Sequence, residues 1–399
     1  MNSLAAASIS VRQQLHRRKS RRASLVHLRF AALTASFVIG LAATAQAPTS
    51  LKDAYHADFY IGAAINTAQI TGQDARGDAL IAAQFDSISP ENCLKWENVH
   101  PQPDKYDFTI PDQYVAFGEK HHMFIVGHNL VWHNQTPAWV FHDDKGNLLT
   151  RDALLARMRD HIHTVVGRYK GRIQTWDVVN EALNEDGTLR QSMWEKIIGD
   201  DYIAKAFEYA HEADPQAQLN YNDYNLENEP KRYGAIALIT KLKSQGVPIA
   251  TVGLQGHDSL DWPTLDQQDA TIEAFAKLGV KVAITELDID VLPRATRQQT
   301  ADVTVNIAQN PALNPYVNGL PDAVQQQLAK RYADLFTVFL KHRDVVNRVT
   351  FWGVTDADSW RNDWPVRGRT SYPLLFDRAA QPKPAYTAVI QVATTKSSQ

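Results

Sequence analysis

Short runs rich in β-branched and aromatic residues alternate along the chain with stretches whose apolar positions recur every three or four residues. The β-rich runs are Phe59–Ile65, Ser87–Ser89, Met123–His128, Thr175–Asn180, Gln218–Asn222, Thr251–Gln255, Val282–Glu286 and Arg348–Trp352. Several are apolar at consecutive positions, as in Phe124-Ile125-Val126 and Val282-Ala283-Ile284. Such strands are covered on both faces, which is the habit of parallel sheets. Between them lie helical patterns. In Arg151–Tyr169 the apolar residues Leu154, Leu155, Met158, Ile162, Val165, Val166 and Tyr169 form one stripe. Thr150 stands where an N-cap belongs, its hydroxyl able to accept from the first free amides. Ala235–Leu242 and Ala270–Leu278 repeat the pattern.

Eight strands separated by helices over about 340 residues predict a closed (β/α)8 TIM barrel of the α/β class. An open, doubly wound sheet fits the same alternation. No Gly-x-Gly-x-x-Gly follows the first strand, so a nucleotide-binding version of that sheet has little support. The connection before the last strand, residues 290–347, is long. It reads as a loop on the substrate side, with Asn310-Pro311-Ala312-Leu313-Asn314-Pro315, followed by a helix near Asp322–Lys341.

The first 45 residues break the pattern. They carry seven basic residues (Arg12, Arg17, Arg18, Lys19, Arg21, Arg22, Arg29) and no acidic one. An apolar run from Phe30 to about Ala43 follows, then Ala43-Thr44-Ala45. That order is a secretory signal, and a cut after Ala45 is expected. A second Ala-x-Ala, ending at Ala47, precedes Pro48, which hinders cleavage there. The run is short of the roughly 20 residues that span a bilayer, which disfavours a membrane anchor. Ser20-Arg21-Arg22 also resembles a twin-arginine signal, although Ser24 occupies a position where a bulky apolar residue is usual. The expectation is therefore a secreted or periplasmic protein, with 1–45 removed and 46–399 forming one catalytic barrel.

Removing that segment leaves 34 of the 41 basic residues against 44 acidic ones, a net charge of about −10. So acidic a surface argues against nucleic acid and anionic membranes as partners and suits a neutral substrate. No stable membrane association is expected after cleavage, and a monomer is expected. The single cysteine, Cys93, excludes an intrachain disulfide and a thiolate zinc site. It reads as a small packed residue. No Gly/Ser or Pro/Thr tract after residue 55 marks off an appended module.

Barrel enzymes carry their chemistry at the C-terminal ends of the strands. Here those ends read Pro90-Glu91-Asn92, His128-Asn129 running on to Trp132-His133, Asn180-Glu181, Asn222-Asp223-Tyr224, Gln255-Gly256-His257, Glu286-Leu287-Asp288, and Trp352 with Trp360 just beyond. Burying so many polar groups without a use costs stability. Glu181 and Glu286, on two different strand ends, are the pair that glycosidic cleavage needs. One carboxylic acid protonates the leaving oxygen, and the other carboxylate acts on the opposite face of the sugar. A gap of about 5 to 5.5 Å permits direct attack with retention, whereas a wider one admits water and inverts. Indole faces stack on sugar rings, and amides and imidazoles address hydroxyls.

Six segments together resemble family 10 glycoside hydrolases, endo-β-1,4-xylanases, in the order that family has them. They are Pro90-Glu91-Asn92 with Lys95-Trp96; Gly127 to His133; Trp176 to Ala182; Gly253-Leu254-Gln255-Gly256-His257; Ile284 to Asp288; and Trp352-Gly353-Val354 with Ser359-Trp360. The ending Leu374-Leu375-Phe376-Asp377 with Gln381 to Tyr386 also matches. The resemblance implies Glu181 as general acid/base and Glu286 as nucleophile of a retaining enzyme, with no cofactor and no metal. It implies that Asn180 bonds the sugar 2-hydroxyl and that His257 and Asp288 hold Glu286. Gln255 is placed near Glu181, supporting its raised pKa, to which the charge of Glu286 contributes. Asn92, Lys95, His128, Trp132, Gln135, Trp352 and Trp360 are implied on the non-reducing side of the cut, with Glu91 and Tyr224 as further contacts. One departure is Cys93-Leu94, where many relatives carry Glu-Met; altered packing is expected there.

Plainer readings compete for several of these residues. Asp177 makes structural hydrogen bonds, and Trp132, Trp352 and Trp360 also suit a core. The five-residue spacing of His128 and His133 differs from the His-x-His of barrel metallohydrolases. Asn134-Gln135-Thr136 fits a glycosylation sequon by chance. The leading function is hydrolysis of internal β-1,4 bonds of xylan. The alternatives are a β-1,4-glucanase or cellobiosidase on the same scaffold, a metal-dependent barrel hydrolase, and an inactive carbohydrate-binding barrel.

Overall fold

A computed structural model describes residues 50–297 and 299–396; the expected export signal lies outside them. Nine strands run β1 Tyr60–Ile65, β2 Ser87–Pro90, β3 Phe124–Val131, β4 Thr175–Asn180, β5 Gln218–Asp223, β6 Thr251–Leu254, β7 His257–Ser259, β8 Lys281–Asp290 and β9 Val346–Phe351. Every pairing between them is parallel. Pairing of β6 with β8 and of β9 with β1 closes eight strands into the (β/α)8 barrel. The open sheet is thereby excluded. The short β7 is an addition outside the ring, paired with the far end of β8.

The strands close because they have no solvated face. All six residues of β4 are buried, and so are eight of the ten in β8. A sheet of that composition must be covered on both sides. Helices supply the outer cover. In the helix Arg151–Arg168, Leu154, Met158, Ile162, Val165 and Val166 face inward, while Thr150 Oγ1 accepts from Ala153 N at 3.3 Å. Leu155 is half-buried at the edge of the stripe, and Tyr169 lies just past the helix end. The expected helix Asp322–Lys341 forms at those bounds.

Two helices begin earlier than their apolar pattern shows. One spans Glu229–Ser244 and the other Leu265–Ala276. Their first turns bury polar residues, Lys231 in one and Gln268 in the other. A search for apolar periodicity passes over such turns. Strands β3 and β8 also run further than expected, so Glu286 lies within β8 and four residues follow it. Cys93 packs in the core, and burial pushes its thiol pKa up. No helix among the described residues is long and apolar enough to cross a membrane.

Candidate active site

Glu181 follows the last residue of β4 and takes φ of +57°. A side chain bearing a Cβ pays about 1–2 kcal/mol for that left-handed conformation. Neighbouring strands hold it there: Glu181 N donates to Asn222 O at 2.8 Å, and Arg190 Nε donates to Glu181 O at 3.2 Å. The side chain is buried and faces three donors. Trp132 Nε1 donates to Oε2 at 2.8 Å, Gln255 Nε2 to Oε1 at 3.0 Å, and Asn180 Nδ2 to Oε1 at 3.4 Å.

Burial is the main cause that pushes the Glu181 pKa up to about 7; the charges of Asp223 and Glu286 add to it. Gln255 and Trp132 work the other way, because a donor stabilises the ionised form. The expectation that Gln255 supports the raised pKa is thus corrected. The charge of Glu286 does contribute, but it ranks below burial and Asp223.

Across the same cavity, β8 presents Glu286. Its amide donates to Gln255 O at 2.7 Å, which locks β8 to the residue after β6. Asn222 Nδ2 donates to Glu286 Oε1 at 2.8 Å, and His257 Nε2 stands 3.3 Å from Oε2. On its other side, His257 Nδ1 meets Asp288 Oδ1 at 3.1 Å. Burial opposes a charged imidazole, but Asp288 and Glu286 outweigh it and raise His257 to about 9. At neutral pH the ring therefore donates to both carboxylates. Asp288 is buried behind the ring, where it also accepts from Trp360 Nε1 at 2.7 Å and Arg361 Nε at 2.8 Å. Burial would raise its pKa, yet Arg361 and His257 hold it below the usual carboxylate range.

Gly256 makes this turn possible. Its φ is +76°, and a Cβ there would come within 3.0 Å of Ile284.

The two glutamates are joined by amides. Asn222 Nδ2 donates to Asn180 Oδ1 at 2.9 Å as well as to Glu286, and Gln255 Nε2 lies 3.4 Å from Asn180 Oδ1. Thr285 Oγ1 in turn donates to Asn222 Oδ1 at 2.6 Å, fixing which way that amide points.

Glu181, Glu286, Asn180, His257 and Gln255 line a cavity of about 160 Å³. So do Glu91, Asn92, Lys95, His128, Trp132, Gln135, Trp352 and Trp360. Lys95 is buried and its Nζ donates to Asn92 Oδ1 at 2.9 Å and Gln135 Oε1 at 2.8 Å, 5.0 Å above the Trp132 ring. Burial lowers its pKa against the pull of four glutamates, Glu286 first among them. Asp177, read as structural, takes His128 Nδ1 at 3.0 Å and Asn220 Nδ2 at 3.1 Å. His128 is thereby aimed at Trp352, with the rings edge to face at 5.3 Å.

Asp288 and Tyr224 are outside the cavity wall. The Tyr224 hydroxyl accepts from Arg190 Nη2 at 3.0 Å, and Lys231 Nζ sits 3.5 Å from its ring centre. Tyr224 thus props the arginine that holds the Glu181 carbonyl.

The site contains residues that sequence reasoning did not select. Asn222 closes a strand end with Asp223, which was a usable signal, but nothing in the sequence shows that it bridges Glu286 and Asn180. Ala301 and Val303 line the cavity from the 290–347 loop, and their residue types carry no signal at all. Of the two histidines, His128 gives its Nδ1 to Asp177, and His133 Nδ1 is buried without a partner among the described residues. Among those residues, Asp269, Glu273 and His342 have ligand atoms close enough to share an ion. Asp269 and Glu273 lie on one outer helix and His342 just past another, where Lys341 Nζ donates to Asp269 Oδ1 at 2.6 Å and His342 Nε2 stands 2.7 Å from the same oxygen.

Residues 50–392 match the family described as glycosyl hydrolase family 10. An endo-1,4-beta-xylanase A from Xylanibacter ruminicola is 44% identical over 355 residues, 89% of this chain and 96% of that protein. An endo-1,4-beta-xylanase from Geobacillus stearothermophilus is 42% identical over 86% of this chain and 98% of its own length. A solved endoxylanase retrieved from a sugarcane soil metagenome is 51% identical, with a TM-score of 0.84 over 86% of this chain and 99% of that one. A mutant protein solved in complex with xylotriose is 36% identical, with a TM-score of 0.77 over 86% of this chain and 99% of that one.

Proposed function

This chain belongs to glycosyl hydrolase family 10, and on that premise we propose how its side chains divide the work of hydrolysing xylan. The protein is a retaining endo-1,4-β-xylanase. The observation that carries the assignment of roles is the pair of buried glutamates in one cavity, of which Glu181 is raised to about 7. A group with that pKa holds its proton at mildly acidic pH and still releases it readily, as an acid/base must.

In the first step Glu181 gives its proton to the glycosidic oxygen while the bond from that oxygen to the anomeric carbon breaks. A Glu286 oxygen attacks the anomeric carbon, and the part of the chain that leaves takes the proton with it. The product is a glycosyl ester on Glu286. In the second step ionised Glu181 takes a proton from water, whose oxygen attacks the anomeric carbon from the face the leaving group vacated. The ester bond breaks, and Glu286 is a carboxylate again. Two inversions give net retention.

His257, charged below about pH 9, and Asn222 stabilise the Glu286 carboxylate between turnovers. Gln255 Oε1 is buried without a partner among the described residues. Turned over, that amide accepts the proton of neutral Glu181, and turned back it donates to the ionised form. Asn180 offers its amide to the sugar 2-hydroxyl. Asn92, Lys95, His128, Gln135 and the three tryptophans receive the sugars on the non-reducing side. A segment removed after Ala45 and export of the barrel complete the reading.

Release of reducing ends from xylan, with none or far less from carboxymethyl cellulose, is the expected result. Proton NMR of the first product should show the β anomer before mutarotation. An initial α product, or faster cleavage of the cellulose derivative, would overturn the assignment.

Asn222 is a positioning residue in this scheme. Asn222→Ala is expected to lower kcat by about 10²-fold, the usual cost of removing one donor from a charged reacting group. KM should move little. A change confined to KM, with kcat intact, would show that Asn222 does not act through Glu286.

A further inference from the structure

Residues 299–303, in the long connection after β8, are fastened beside both catalytic glutamates. Gln299 Nε2 donates to the carbonyl of His257 at 2.8 Å, and Asn225 Nδ2 donates to the Gln299 carbonyl at 2.8 Å. Further on, Ala301 and Val303 line the catalytic cavity. Asp302, between them, is not part of that wall and meets Arg190 instead. Its carbonyl accepts from Trp364 Nε1 at 3.2 Å, which fixes the main chain there.

Asp302 Oδ2 stands 3.7 Å from Arg190 Nη1. The other oxygen, Oδ1, is taken by Thr304, whose N and Oγ1 donate to it at 3.0 and 2.7 Å. Burial would raise the pKa of this carboxyl, yet Thr304 and Arg190 hold it below the usual range, so it is charged at neutral pH. The side chains of the pair are only 18% and 25% exposed, so solvent screens their attraction in part.

The rest of Arg190 serves the acid/base side. Nε donates to Glu181 O at 3.2 Å, and Nη2 donates to Leu183 O at 3.4 Å and to the Tyr224 hydroxyl at 3.0 Å. Arg190 also feels the charges of Glu181 and Asp223, but among the described residues only Asp302 forms an ion pair with it. An arginine this close to the acid/base is a hazard as well as a support. A guanidinium that swung onto the Glu181 carboxylate would hold it ionised, and an ionised Glu181 has no proton to give.

We infer that Asp302 is a positioning residue for the acid/base: it draws the outer nitrogen of Arg190 toward residues 299–303 and so keeps the guanidinium on the main chain of Glu181 and off its carboxyl. Asp302 acts only through Arg190. The inference rests on Glu181 being the general acid.

Two aryl β-xylobiosides provide the test, one releasing dinitrophenolate and the other unsubstituted phenolate. On each, kcat/KM reads formation of the glycosyl-enzyme, and only the phenolate needs a proton to leave. The quantity compared is the ratio of the two values. Asp302→Asn keeps an oxygen for Thr304 and loses the charge. Its kcat/KM on the phenyl substrate should fall about tenfold, a fraction of the about 10²- to 10⁴-fold that general acid catalysis supplies, while the dinitrophenyl value falls less than about twofold. Asp302→Glu, which keeps the charge, should bring back part of the loss. A defect in folding or in sugar binding lowers both values together and leaves their ratio alone. A ratio that Asp302→Asn leaves unchanged, while Glu181→Ala moves it, overturns the inference. A ratio that Glu181→Ala also leaves unchanged overturns the acid/base reading beneath it.

Discussion

Glu286→Ala is expected to lower kcat/KM on xylan by about 10⁴-fold or more, which is about 5.5 kcal/mol of transition-state stabilisation. The groups packed against its carboxylate cannot take its place as nucleophile. His257 Nε2 and Asn222 Nδ2 both point at its carboxylate as donors, and Lys95 is a cation. The surviving protein should still fold, because the site rests on strand pairings that Glu286 makes through its backbone. Added azide provides a sharper readout. In the cavity left by the carboxylate, the anion attacks the anomeric carbon directly, and one inversion yields the α-glycosyl azide from an aryl β-xyloside. Formation of the β-azide, or retention of activity on xylan within tenfold of wild type, would remove Glu286 from the nucleophile's role.

Glu181→Ala has the second largest expected effect, and its size depends on the substrate. On xylan the leaving alkoxide needs a proton, and a loss of about 10³-fold or more is expected. With a dinitrophenyl xyloside the leaving group departs unaided, so formation of the glycosyl-enzyme persists. Its hydrolysis, which needs Glu181 as base, becomes slow, and a burst of phenolate followed by a low steady rate results. Azide should now release the β-glycosyl azide, the opposite anomer from that expected with Glu286→Ala.

The pH profile of the wild type follows from the same group. Glu181 is required in its protonated form, and its pKa in the folded protein is about 7. Log kcat/KM on xylan should therefore bend downward near pH 7 and fall with unit slope above it. In Glu181→Gln that limb should vanish from the residual activity. An alkaline limb that persists in the variant at the same pH belongs to some other group.

Much of this was legible along the chain. The alternation of doubly buried strands with amphipathic helices follows from local composition, and the strand starts and ends came within a few residues. Differences arose where chain-local signals fail. The helix Glu229–Ser244 carries in its first turn Lys231, a residue that is polar and yet wholly buried through its pairing with Asp223 and Glu185. Strand β8 passes Glu286 because β9 still pairs with Leu287, and it reaches Asp290 because β7 pairs with Asp288, Ile289 and Asp290. The bond from Arg190 Nη2 to the Tyr224 hydroxyl joins residues far apart along the chain, and no local pattern announces it.

What the sequence by itself determined was the register of chemistry on the barrel. In a parallel barrel all strand ends face one rim, so residue types at the ends of apolar runs declare which groups meet there, and Glu181 and Glu286 were readable on that basis. Only the tertiary structure decided which neighbours tune them. That Asn222 bridges Glu286 to Asn180, that Asp288 is held by Arg361 behind His257, and that burial more than Glu286 raises Glu181 all depend on side chains from strands many residues apart. A pKa is set by the distance and solvent exclusion among such groups, and neither is encoded in the spacing of residues along a single strand.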